Sequence, residues 1–185
     1  MEVAFETREL SHAQFIGGVI WMLRSPALKP VDVPRIDFAV LHAASAGVSL
    51  LVAIGLGLAL VVMPSSPSSL RVAAAYGVFG LLGFLAQMVV GMEARLLPLA
   101  AWFWARGTDA PSPHRMRDRT LQAIVFLGWT IGVPAVGAGM FLESPRLIGS
   151  GAWALFASVA IATVDAIGVV AQSMRRPTVS VRPAA

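Results

Sequence analysis

Four long runs of apolar residues occupy most of this chain and constrain its fold more than any other feature. The runs cover residues 36–63, 72–97, 120–142 and 148–174. Each is longer than the roughly 20 residues with which an α-helix crosses a bilayer. Only 13% of the residues are charged, against about 25% in a typical soluble domain. The sequence therefore predicts an all-α fold, an integral membrane four-helix bundle.

The first 35 residues contain a shorter apolar stretch. Ala13 to Leu23 spans only part of the length that a membrane-crossing helix needs, and Arg24, Pro26 and Pro30 follow it. We interpret it as a short amphipathic helix at the membrane interface; the alternative is the remnant of a span that has lost its first part. The acidic opening lacks the positive charge of a signal peptide, so we expect the chain to be retained whole.

The distribution of Lys and Arg outside the four runs predicts the orientation. The five segments from the N-terminus to the C-terminus hold four, one, four, one and three basic residues. Cytoplasmic loops carry the excess of Lys and Arg. This alternation places both termini, including the tail 175–185, and the loop between the second and third runs in the cytoplasm. A nucleic-acid partner is set aside, because no basic cluster is interleaved with aromatic residues.

The few polar residues of the runs are predicted to gather near the cytoplasmic side. The ones that we single out are Asp37, His42, Gln87, Glu93, Arg95 and Asp165. A carboxylate within a bilayer needs a partner, and Arg95 is the candidate at the same depth as Asp165. Two interpretations stay open: a structural ion pair, or a cytoplasm-facing path for protons or a ligand.

The end of the second run contains a proline and several aromatic residues. We expect the helix to break at Pro98, so that Trp102 and Trp104 lie along the headgroup level as interfacial residues. The alternative is a tilted helix that stays in the membrane to Trp104 and buries Glu93 and Arg95 as a pair.

Small residues recur at helical spacing within the runs. Gly128 and Gly132 in the third run form one such pair, and Gly83 and Gly91 flank Gln87 in the second. This spacing is typical of surfaces on which two membrane helices approach closely. We therefore predict that these residues pack helix against helix.

His42 is the one histidine within the four runs. An imidazole there either ligates haem iron or makes hydrogen bonds and handles protons. A metal site of several imidazoles is excluded by the three histidines of the chain, and thiolate ligands by the absence of cysteine. No nucleotide-binding, metalloprotease or hydrolase motif is present, which argues against an enzyme acting alone.

The segments YGVFGLLGFLAQMVVGMEARLLPLAAWFWA, PSPHRMRD and GWTIGVPAVGAGM resemble a known group of bacterial membrane proteins. The group comprises cytochrome c oxidase subunit I-like proteins of the haem-copper superfamily, including the NnrS-type nitric-oxide-response proteins. The resemblance covers residues 36–175, and its shared feature is Gly-x-x-x-Arg-Leu-Leu-Pro at Gly91 to Pro98. It corresponds to only the C-terminal spans of the longer members.

The resemblance implies a subunit of the bacterial inner membrane and respiratory chain that packs with other membrane helices or with itself. It also implies haem b as a candidate cofactor, with His42 as the candidate axial ligand. The alternative function is a small transporter or proton-conducting channel that uses the cytoplasm-side polar residues.

Overall fold

A computed structural model describes Gly17, Trp21, Arg24 and residues 37–105 and 116–174. The chain forms two compact units, Met1–Val33 and Pro34–Ala185. In the first unit the three described residues are helical. Most of the predicted interfacial helix at 13–23, and the whole tail at 175–185, therefore lie outside the described residues.

The second unit is all-α: its described residues contain helices and turns and no strand. Helix α1 is Phe38–Val62, α2 is Pro67–Gly77, and α3 is Gln87–Ala105. A π-helical segment, Val78–Ala86, joins α2 to α3, so these three form one long rod. Helices α4 and α5 are Arg119–Phe141 and Pro145–Met174. Together they make the predicted four-helix bundle.

All four rods, α1, α2–α3, α4 and α5, are long and apolar enough to cross a membrane. Their outward faces carry many exposed large hydrophobic side chains, such as Val61, Leu81, Ile131 and Val164. Exposing such an apolar surface to water is unfavourable, whereas the hydrocarbon of a bilayer solvates it well. The fold is therefore that of a multi-pass membrane protein.

Local sequence signals set where the helices begin. The Asp37 carboxylate accepts a hydrogen bond from the Ala39 amide at 2.9 Å, and Asp118 caps α4 in the same way at Thr120. Ser66 and Ser69 form a reciprocal capping box, with Pro67 in the first turn of α2. The second rod consequently starts five residues before the predicted position 72, since the Pro-Ser stretch that resembles a turn is a helix start.

The predicted helix break at Pro98 is wrong. Helix α3 continues through Pro98, which is buried, to Ala105. A proline removes one backbone hydrogen bond and does not by itself end a membrane helix when packing holds both sides. Here Leu97 and Ala101 pack against Val169 of α5 and Met116, which keeps the last turns of α3 attached to the bundle.

The small-residue stripes pack helix against helix, as predicted. A methyl group added at Gly83 would lie 2.7 Å from the Cβ of Ser49, and one at Gly91 would lie 3.0 Å from the Cβ of His42. These glycines therefore let α3 and the π-helical segment lie directly on α1. Gly132 of α4 makes an equally close approach to Leu155 of α5.

The core is built mainly where α4 meets α5 and the π-helical segment. Trp129 and Val133 of α4 lie at its centre and are 3% and 1% exposed. They pack with the following buried neighbours: Val78, Val125, Val136 and Leu155. This apolar core separates the two ends of the bundle. One end, where α1 and α4 begin, is called here the Asp37 end; the other contains the turns 63–66 and 142–144.

Candidate functional site

Residues from all four rods meet around a small cavity near the Asp37 end. Its polar and charged lining residues are His42 of α1, Glu93 of α3, Arg117 just before α4, Gln122 in the first turn of α4, and Asp165 of α5. Its volume is about 20 Å³. Three of the residues singled out from the sequence, His42, Glu93 and Asp165, are thus neighbours in the fold.

Arg117 is the centre of the charged group. Its Nε donates a 2.6 Å hydrogen bond to the Asp165 Oδ2, and its Nη2 lies 3.6 Å from the Glu93 Oε1. The side chains of Arg117 and Asp165 are 6% and 8% exposed, whereas that of Glu93 is 41% exposed. We call these three residues the Arg117 triad. Because the Arg117–Asp165 pair is almost sealed from solvent, neither charge can lose its partner cheaply.

The predicted pairing of Asp165 with Arg95 is wrong. Arg95 is exposed on α3 and does not line the cavity, while Arg117 reaches Asp165 from the segment before α4. The prediction used only the depth of each residue along its helix. It did not take into account which face of the helix each side chain occupies. Arg95 is two residues beyond Glu93, a spacing that does not put two side chains on the same face of a helix.

Arg117 enters the bundle because its neighbours fix the backbone on both sides. Met116 is 3% exposed and packs against Ala101 and Val169. Asp118 then caps α4. Residues 106–119 include four arginines. Arg117 is distinguished by its two neighbours: a buried methionine precedes it, and an aspartate that caps α4 follows it. Those two neighbours are the signal that sequence reasoning missed.

His42 lies at the apolar wall of the cavity and is 2% exposed. Its ring meets the Phe126 ring edge to face, with centroids 5.3 Å apart, and its Cβ faces Gly91. Within the described residues its Nδ1 has no hydrogen-bond partner. An orphaned buried polar atom costs about 1–3 kcal/mol, so this nitrogen calls for a small polar partner.

A haem does not fit at His42. Sites for small organic molecules have volumes of about 300–1,000 Å³, and the cavity beside this imidazole has about 20 Å³. Phe126 and the Gly91 backbone cover two sides of the histidine, so a macrocycle would have to separate α1 from α3 and α4. The described residues also contain no group of three His, Asp or Glu side chains placed to hold a metal ion.

The other polar residues named from the sequence lie away from the cavity. Gln87 is 1% exposed, and its Nε2 lacks a partner within the described residues, as does the Nε1 of Trp129. Trp102 and Trp104, near the end of α3, are 38% and 74% exposed. Their exposure is compatible with the predicted interfacial position.

One outward surface combines small and aromatic residues. Gly149, Ala152, Trp153 and Phe156 of α5 line a shallow depression of about 280 Å³ near the turn end of the bundle. Trp153 and Phe156 are 71% and 65% exposed, and their rings meet edge to face at 5.7 Å. The small residues leave space beside two rigid rings, which is the shape that another helix can fill.

The chain was compared with known proteins, and no protein-family model, curated protein or solved structure matches it. The site must therefore be interpreted from its own chemistry. It is an ion triad with a buried Arg117–Asp165 pair and a partly exposed Glu93, and one histidine lies beside it on a cavity of about 20 Å³.

Proposed function

We propose that this protein is a non-enzymatic membrane subunit that packs against other membrane-spanning helices. The observation that carries the proposal is the contrast between its interior and its exterior. Among the described residues, the cavity where the four rods meet has room for about one water molecule, while the outer faces are apolar along all four rods. A chain of this shape acts through its surface.

The resemblance to cytochrome c oxidase subunit I-like proteins supports one part of this proposal. It implies a place among respiratory-chain subunits of a bacterial inner membrane. The small cavity beside His42 argues against the other part of what the resemblance implies, a haem held by this chain. The proposed role is therefore an accessory one, in which haem belongs to other subunits.

The depression on α5 is the surface that we propose for the partner. Lipid tails are as apolar as a helix surface, so helix association in a bilayer depends on close packing and not on hydrophobicity. Gly149 and Ala152 permit that close approach, and Trp153 and Phe156 provide rigid flanks. The partner is another membrane-spanning subunit that presents a small-residue helix face.

Photo-crosslinking from α5 tests this function. A photoreactive amino acid replaces Phe156 in the full chain, expressed in its native membrane, and Leu127 serves as the control because it is similarly exposed, at 54% against 65%. We expect one discrete protein adduct from position 156 and lipid adducts alone from position 127. Equal adducts from both positions, or lipid adducts alone from both, would contradict the proposal.

The absence of room at His42 gives a spectroscopic prediction. The chain purified after haem-supplemented expression is expected to show no Soret band, and His42→Ala to leave the absorption spectrum unchanged. An isolated chain with a Soret band that disappears in His42→Ala would show that the bundle opens to admit haem.

We propose the orientation that the basic residues predict, with the loop at residues 106–118 in the cytoplasm. A phosphatase fused after Ser65 is expected to be active, since that turn lies outside the cytoplasm. The same enzyme fused after Thr108 is expected to be inactive, and a fluorescent protein to give the reverse pattern. Activity after Thr108 would invert the proposed topology.

Conduction through the bundle, the alternative function, has less support. The charged residues of the cavity lie near the Asp37 end, and the path beyond them is filled by Trp129, Val133, Val136 and Leu155. Ions need a polar or water-filled route across the full thickness of a membrane. The described core is packed with apolar side chains and contains no such route.

A further inference from the structure

The cavity at the Arg117 triad is close in size to a single water molecule. A water molecule needs at least about 10–15 Å³ and two to four polar partners. The cavity has about 20 Å³ and is lined by His42, Glu93, Gln122 and the Arg117–Asp165 pair. It therefore has the volume and the hydrogen-bonding groups for one water molecule.

Two features show that the direct contacts between these groups are incomplete. The Nδ1 of His42 is buried and has no partner within the described residues. The Arg117 Nη2 and the Glu93 Oε1 are 3.6 Å apart, which is longer than a hydrogen bond. Both groups therefore keep hydrogen-bonding capacity that a water molecule in the adjoining cavity can use.

We propose that this cavity binds one water molecule that bridges the side chains of His42, Glu93 and the Arg117–Asp165 pair. No bond between heavy atoms forms or breaks. Glu93 connects the site to the surface of the bundle, because its side chain is 41% exposed while those of Arg117 and Asp165 are under 10% exposed.

The water is tested by solid-state NMR on the full chain in lipid bilayers with ¹⁵N-labelled histidine. Magnetisation transfer from water to the ring of His42 is expected in the wild type, with the signal assigned by its loss in His42→Phe. Ala162→Val, at the cavity wall, is expected to abolish the transfer. Ala157→Val makes the same change on the exposed face of the same helix and should preserve it.

No transfer in the wild type, or equal transfer in Ala162→Val, would overturn the water site. Val90→Ile also reduces the cavity, and it replaces Ala162→Val if that variant does not fold.

Discussion

Replacing Arg117 with methionine is expected to reduce the free energy of unfolding by about 3–5 kcal/mol, the cost of removing one partner from a buried ion pair. Asp165, whose side chain is only 8% exposed, would be left without its cationic partner. Nothing else in the described structure forms a salt bridge with it. The measurement is reversible unfolding of the purified chain in mixed micelles, together with the yield of membrane-inserted protein.

The chain contains a matched control for this prediction. Arg71 and Glu143 also form a salt bridge, but their side chains are 40% and 64% exposed. Exposed pairs contribute about 0–1 kcal/mol, so Glu143→Gln should change stability little. Arg117→Met with Asp165→Leu removes both buried charges and should recover most of the loss. An Arg117→Met variant no less stable than Glu143→Gln would mean that the pair is not buried in the membrane.

The sequence predicted the architecture because apolar length is a one-dimensional property. The ends of α1, α4 and α5 lie within three residues of the predicted positions. Glycine spacing was equally informative, since i and i+4 positions necessarily share a helix face. Gly83 and Gly91 lie against α1 for that reason.

The sequence was less informative where the outcome depended on the direction of a side chain or on the packing around a residue. Asp165 required a cationic partner. The choice between Arg95 and Arg117 depended on which face of α3 packs against α5, and on how the segment before α4 approaches α5. Pro98 can end a helix or lie within one, and the packing of Leu97 and Ala101 decides between these outcomes. Both decisions belong to tertiary structure, which periodicity along one helix does not contain.

The turn between α4 and α5 illustrates the same limit on a smaller scale. Glu143 has a φ of 52°, a left-handed conformation that glycine usually adopts at a helix end. The Ser144 amide donates to the Gly139 carbonyl at 2.9 Å and closes the cap. A glutamate gives no local indication of this conformation.

Two glycines of α5 that are two residues apart are expected to respond in opposite directions to the same substitution. In Gly151→Ala the new methyl group would lie 2.8 Å from the Gly132 carbonyl oxygen and 2.9 Å from the Val136 nitrogen. Both atoms belong to the backbone of α4, so the clash is relieved only when α4 and α5 move apart. Overpacking of this kind costs about 1–3 kcal/mol.

Gly149→Ala adds the same methyl group in open space, with no atom within 4 Å. Alanine is favoured over glycine within a helix by about 1 kcal/mol, so this variant should be as stable as the wild type or slightly more stable. Unfolding of both variants in mixed micelles measures the difference. A loss of stability in Gly149→Ala equal to that in Gly151→Ala would show that α4 and α5 do not meet along the Gly132–Gly151 line, and the closed interior on which the proposed function depends would lose its support.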